Sequence, residues 1–182
     1  PVGHHAAEMG VVLHEQNRTD EALAEVERLL AAEPRNPVYL NLLANVLGRG
    51  GDHVRAIDTF AAVLANYPSN PRIWMAYGDA LKTEGRTNDG IAAYRRSLQL
   101  APGFGEAWWS LANLKTFRFS PTDVQAMQTQ LARVGAADDD RLHLHFALGK
   151  ALEDAGQYAG SFEHYSDGNR IRRAGMVYNA EA

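Results

Sequence analysis

The chain contains no cysteine. Disulfides, thiolate metal sites and cysteine nucleophiles are therefore excluded, and the redox compartment is left open. Positive charge is not in excess either: 18 Lys and Arg stand against 22 Asp and Glu, for a formal net charge of -4. A dedicated nucleic-acid binder needs a clustered basic face, so no nucleic-acid partner is expected. Long apolar runs are missing as well. No stretch approaches the ~20 apolar residues that cross a bilayer, because charge interrupts the pattern every few positions. No Met opens the chain, and Pro1 to Gly3 carry no signal-peptide pattern. We expect a processed or excised piece of a longer protein, located in the cytoplasm.

What is present suffices for a core: 182 residues, of which 46% are hydrophobic and 22% charged. The strongest pattern is periodic. Pro34, Pro68 and Pro102 are spaced by 34 residues, as are Ala22, Ala56 and Gly90, and Gly10, Ala44, Gly78 and Ala112. Large apolar residues keep the same phase: Leu40, Trp74 and Trp108; Met9, Leu43, Tyr77 and Leu111; Leu13, Leu47 and Leu81; Val26, Phe60 and Tyr94. Within each unit these fall on one face at helical spacing. A small residue is needed where two paired helices cross, because a large side chain would hold their backbones apart. A proline past the second helix stops it, lacking the N–H and clashing with a continuing turn.

In this period and these ladders the chain resembles tetratricopeptide repeat (TPR) proteins. The resemblance implies an all-α solenoid, a right-handed superhelix of antiparallel helix pairs. We expect about five pairs and roughly ten helices in a single array over 1–182. The units run at about 3–36, 37–70, 71–104, 105–134 and 142–175. Asp20 and Asp52 are expected to cap second helices, and Gly48, Gly50 and Gly51 to form a turn. That glycine cluster follows no strand and ends in no Lys-Ser/Thr, so it is no phosphate loop.

The fourth unit is degenerate. Phe117, Arg118 and Phe119 replace the glycine turn. Ser120 then caps a helix that starts at Pro121, carries Asp123 in its first turn and runs to about Val134. The fifth unit resumes with Leu148 and Gly149, its linker longer by three residues. Leu152, Gly156, Tyr158, Ser161 and Tyr165 complete it, and its second helix is expected to run to Arg173. No polar cap closes the array, so we expect it to continue past Ala182.

A narrower resemblance lies between Gly105 and Ala182. The segment from Gly105 through Trp108, Trp109 and Phe117 to Phe119, the segment from Leu142 through His145, Phe146 and Gly149 to Asp154, and Phe162 to Tyr165 look like the N-terminal TPR region of bacterial TPR-containing sulfotransferases. That resemblance implies a downstream sulfotransferase domain using 3′-phosphoadenosine 5′-phosphosulfate. No strand followed by a phosphate-binding turn and helix exists in this chain to hold such a donor. No catalytic residue or cofactor is therefore assigned to it.

Other chemistry-bearing residues have plainer readings. His4 and His5 read as surface residues. His143 and His145 lie two apart on a helix and point in different directions, so no metal site is assigned. Asp138, Asp139 and Asp140 suit a helix N-terminus. Ser161, His164 and Asp167 are triad residue types, but nothing in the sequence places an oxyanion hole beside them. Arg170, Arg172 and Arg173 suit a helix C-terminus.

The resemblance to TPR proteins also implies a concave groove lined by the first helix of each pair. By phase this gives Val11, Asn45, Asp79, Asn113 and Lys150; Ala7, Asn41, Met75, Trp109 and Phe146; and His4, Val38, Arg72, Glu106 and His143, with Arg49 and Lys82 nearby. Asparagines both donate and accept, which suits a peptide backbone. Arg72 and Lys82 could pair with a carboxylate, and Met75, Trp109 and Phe146 could anchor apolar groups. The expected function is a scaffold that binds a protein or peptide through Asn41, Asn45, Arg49, Arg72, Met75, Asp79, Lys82, Trp109, Asn113, Phe146 and Lys150. The alternative is the substrate-presenting arm of a sulfotransferase, with its own downstream domain as partner. A third reading is self-association through the last helix near Ile171, Met176 and Val177.

Overall fold

The computed structural model describes residues 19–133 and 137–175. These residues form helices and turns, with no strand among them. The helices are α1 (Thr19–Ala32), α2 (Pro37–Arg49), α3 (His53–Asn66), α4 (Pro71–Thr83), α5 (Thr87–Leu100), α6 (Gly105–Ala112), α7 (Pro121–Leu131), α8 (Asp138–Asp154) and α9 (Tyr158–Gly175). The first helix expected in the opening unit lies outside the described residues, as do Val134, Met176 and Val177. The chain divides into two compact units with the boundary between Arg96 and Ser97, inside α5.

The 34-residue period reappears in where helices begin. First helices start at Pro37, Pro71 and Gly105, and second helices at Thr19, His53, Thr87 and Pro121. Asn36 and Asn70 set two of these starts. The Asn36 carboxamide oxygen accepts the Val38 N–H at 3.0 Å, and that of Asn70 accepts the Arg72 N–H at 3.0 Å. The proline that follows each occupies the first helical position, where a missing N–H costs nothing. Asp52 caps α3 as expected, accepting the Arg55 N–H at 3.2 Å. Asp20 does not cap α1. It lies one residue inside the helix, where its charge complements the dipole of the first turn.

Between the paired helices the backbone passes through positive φ at Gly51 (87°), Gly85 (81°) and Gly156 (73°), a region that side chains other than glycine resist. In the fourth pair the same register holds Phe119. With no glycine there, α6 stops at Ala112 after 8 residues, against 13 for α2 and α4. Phe119 instead packs its ring 6.0 Å from Trp108 and 5.0 Å from Phe117. Helix α7 resumes on register at Pro121. There Ser120 and Asp123 each bond the other's backbone N–H in a reciprocal capping box.

In the first unit, α1 to α4 bury Val26, Ala44, Leu47, Ile57, Phe60, Val63, Ile73 and Leu81. In the second, α6 to α8 bury Trp108, Leu111, Met127, Leu144, Leu148 and Leu152. The small residues do what the ladder implied. A Cβ on Gly78 would lie 2.7 Å from the Tyr94 ring, and one on Gly149 would lie 2.7 Å from the Tyr165 ring. Trp74 and Trp108 repeat a further device. Each indole N–H donates to a proline carbonyl six residues back, Trp74 to Pro68 at 2.8 Å and Trp108 to Pro102 at 2.9 Å.

Helix α6 has no side-chain cap from its own preceding residue. Its cap comes from the first turn of α8, where the Asp140 carboxylate accepts the Gly105 N–H at 2.9 Å. A Cβ on Gly105 would stand 2.3 Å from the Asp140 carbonyl oxygen, so glycine is needed for the approach. The aspartate run therefore serves two helices. All three aspartates lie in the first turn of α8, and Asp140 also closes α6.

Candidate functional site

Within the first unit a cleft of about 170 Å³ lies between α2, α3 and α4. Ala44, Gly48, Phe60, Ala76 and Ala80 line it with small or apolar groups, and Asn45, Arg49, His53, Asp79 and Thr83 with polar ones. Three of the residues expected from sequence, Asn45, Arg49 and Asp79, are brought together here. Asn45 donates one amide N–H to the Asn41 carbonyl at 2.7 Å, which leaves its second N–H and its side-chain oxygen to face a ligand. Asp79 accepts the Tyr94 hydroxyl proton at 2.7 Å and lies 3.5 Å from the Lys82 ammonium. Tyr94 and Lys82 thus fix the carboxylate, and Arg49 remains exposed at the end of α2.

Arg72 and Met75 sit on α4 but do not line the cleft. Arg72 is exposed and Met75 half-buried. His53 lines the cleft, and its Nδ1 is buried without a hydrogen-bond partner. Sequence reasoning passed over this residue because it falls on a second helix, away from the first-helix ladders.

The residues expected in the second unit are arranged differently. The rings of Trp109 and Phe146 lie 5.6 Å apart, and Phe146 lies 6.2 Å from Tyr165. The Arg172 guanidinium stands 4.8 Å over the Phe146 ring, a cation–π contact. Phe146 is buried, so this group is a packed cluster rather than an open anchor. Lys150 pairs with Asp154, which also lies 3.7 Å from Arg118. Asn113 ends α6 and is exposed. Tyr165 donates its hydroxyl to Glu153 at 3.1 Å. Burial, aided by that carboxylate, pushes its phenol up to about 12.

A second cavity, of about 830 Å³, opens between α7, α8 and α9. Facing into it are His145 and His164, whose Nδ1 atoms are 3.0 Å apart. No local pattern links the two rings across 19 positions. The available clue was register: His145 takes the place of Trp74 and Trp108. Burial, with help from His164, holds His145 below the ordinary imidazole value. Burial does the same to His164 against the opposing pull of Asp167 and Glu163. Among the described residues no group of three or more His, Cys, Asp or Glu is placed to hold a metal ion. No described helix is long and apolar enough to cross a membrane.

Helix pairs on a 34-residue period, small residues at their crossings and glycine turns between them define a helical-repeat protein. The chain belongs to the tetratricopeptide repeat family, whose model matches residues 8–71 and 41–103. Its fold class is the all-α TPR solenoid. It is similar to the peroxisomal targeting signal receptor of Candida glabrata, 33% identical over 94 residues, which are 52% of this chain and 15% of that protein. The receptor of Saccharomyces cerevisiae is 36% identical over 94 residues, with the same coverage of 52% and 15%. The chain thus spans about 15% of the length of these relatives.

Among solved structures, a crystal structure of MamA aligns with a TM-score of 0.66 at 16% identity, covering 93% of this chain and 97% of that one. MamA 41-end from Desulfovibrio magneticus RS-1 aligns at 0.66 and 17% identity, covering 95% and 96%. At such identities the likeness shows the fold alone.

Proposed function

We propose that this chain is a protein-interaction scaffold whose first unit binds an extended peptide segment in the cleft between α2 and α4. The observation that carries this reading is the meeting of Asn45, Arg49 and Asp79 around one cleft with a small-residue floor. A peptide main chain needs both donors and acceptors. Asn45 offers its side-chain oxygen, Arg49 a set of donors and Asp79 an acceptor held in place by Tyr94 and Lys82. Small residues beneath let a ligand side chain approach the helix backbones. The similarity to peroxisomal targeting signal receptors over half of the chain is in keeping with a binding role.

Selection of a random-peptide phage library against the whole chain tests the reading. The expected outcome is peptides whose affinity drops at least ~10-fold, on the order of 1.4 kcal/mol, in the double variant Asn45→Ala Arg49→Ala, with helicity and Tm unchanged. Equal affinity in the double variant would overturn it.

The alternative, a substrate-presenting arm of a sulfotransferase, rests on the segments around Trp108 and His145 to Gly149. Those residues already have packing roles in this fold: Trp108 bonds Pro102, and Gly149 lies under Tyr165. They require no downstream catalytic domain, which leaves the scaffold as the better-supported reading. A full-length protein that transfers sulfate from the phosphosulfate donor would restore the alternative.

A further inference from the structure

We propose that the His145–His164 pair is a proton-operated latch between α8 and α9, strengthening their packing at neutral pH and weakening it on acidification. Register and geometry carry this inference. The equivalent position of three earlier first helices holds Leu40, Trp74 and Trp108, and both indoles bond a proline carbonyl. In α8 that position holds His145. Its ring is smaller, a cavity of about 830 Å³ opens beside it, and its partner is another imidazole. Places where a repeat breaks its own packing rule are where function is to be sought.

The two Nδ1 atoms are 3.0 Å apart and the ring centroids 5.2 Å apart. That centroid separation is near the greatest such a contact allows, so the nitrogens meet head-on between the rings. A head-on contact is a hydrogen bond: one Nδ1 carries a proton and the other accepts it. It is not a chelate, in which both lone pairs would converge on a third point. The pair tolerates one proton between the facing nitrogens. A second proton sets two N–H donors against each other.

The surrounding charges are largely matched. On α8, Arg141 lies 3.2 Å from Asp138. On α9, Arg170 lies 2.6 Å from Asp167, and Glu163 also acts on His164. Helix α7 and the residue that follows it contribute Gln128, Leu131 and Ala132 to the cavity wall, none of them titratable, and α6 contributes nothing to it. Burial therefore prevails, and both imidazoles are held below 6.5. An opened or unfolded chain then takes up protons more readily than the folded one, so stability rises with pH. The contribution is full above 6.5 and is lost as pH falls through the depressed folded-state values.

Thermal melts of the whole chain from pH 8 to pH 5 test this, comparing the native chain with His164→Gln. Glutamine can still bond His145 and never becomes charged. The native Tm is expected to fall by at least about 2 °C more than that of the variant. Equal falls would overturn the latch. Should His164→Gln fail to fold, imidazole nitrogen NMR on the native chain decides. One ring protonated at Nδ1, with both titrating below 6.5, supports the latch. Two independent titrations at the ordinary value contradict it. A Tm rise with added Zn²⁺ would make the pair a metal ligand set and overturn the latch as well.

Discussion

The indole N–H of Trp108 donates to the carbonyl of Pro102 at 2.9 Å, pinning the first helix of one pair to the loop that precedes it. Trp74 and Pro68 make the same bond 34 residues earlier. These two tryptophans are therefore more than core filler, since each also satisfies a loop carbonyl. Trp108→Phe keeps most of the buried area and removes the donor. It should cost about 1 kcal/mol, lowering Tm by about 2–4 °C. A melt that matches the native chain would show the bond to be of no consequence.

Two glycines of the same chain should respond to alanine in opposite ways. At Gly149 a Cβ would stand 2.7 Å from the Tyr165 ring, whereas at Gly48 the nearest atom is the Ala56 Cβ at 3.9 Å. Gly149→Ala should destabilise by about 1–3 kcal/mol through overpacking. Gly48→Ala, inside α2, should be neutral or stabilise by up to about 1 kcal/mol. Chemical denaturation of both variants checks the pair of signs.

Ser120 opens α7 where the repeat is most altered. Its hydroxyl accepts the Asp123 N–H at 3.2 Å, and the Asp123 carboxylate accepts the Ser120 N–H at 2.9 Å. Ser120→Ala should cost about 1 kcal/mol. Asp123 is buried, so Asp123→Ala should cost more, by leaving the Ser120 N–H without its partner. Denaturation midpoints of the two variants give the order directly.

Much of this fold was legible because its determinants are local and repeated. Pro37 and Pro71 mark helix starts, Gly51 and Gly85 mark turns, and Gly78 needs Tyr94 above it, all in one phase. The caps at Asn36 and Asn70 were legible too but were overlooked in favour of the more conspicuous prolines. Asp20, expected as a cap, stands in the first turn instead, since an acidic side chain suits both positions alike. The candidate site was less legible. Phase alone put Phe146 and Asn45 on equal terms, yet Phe146 is buried beneath Arg172 while Asn45 edges a cleft. Which member of a ladder faces open space depends on the neighbours that each side chain meets. The His145–His164 contact joins two helices, so no local pattern announces it. Its trace was a histidine standing where the repeat uses tryptophan.

The most direct measurement for the scaffold reading is amide chemical-shift mapping of a selected peptide titrated into the isotope-labelled chain. The account predicts shifts concentrated on α2 and α4, strongest at Asn45, Arg49, Asp79 and Lys82, with the amides of α8 and α9 unmoved. Shifts confined to α8 and α9 would contradict it, and would place the binding site in the second unit instead.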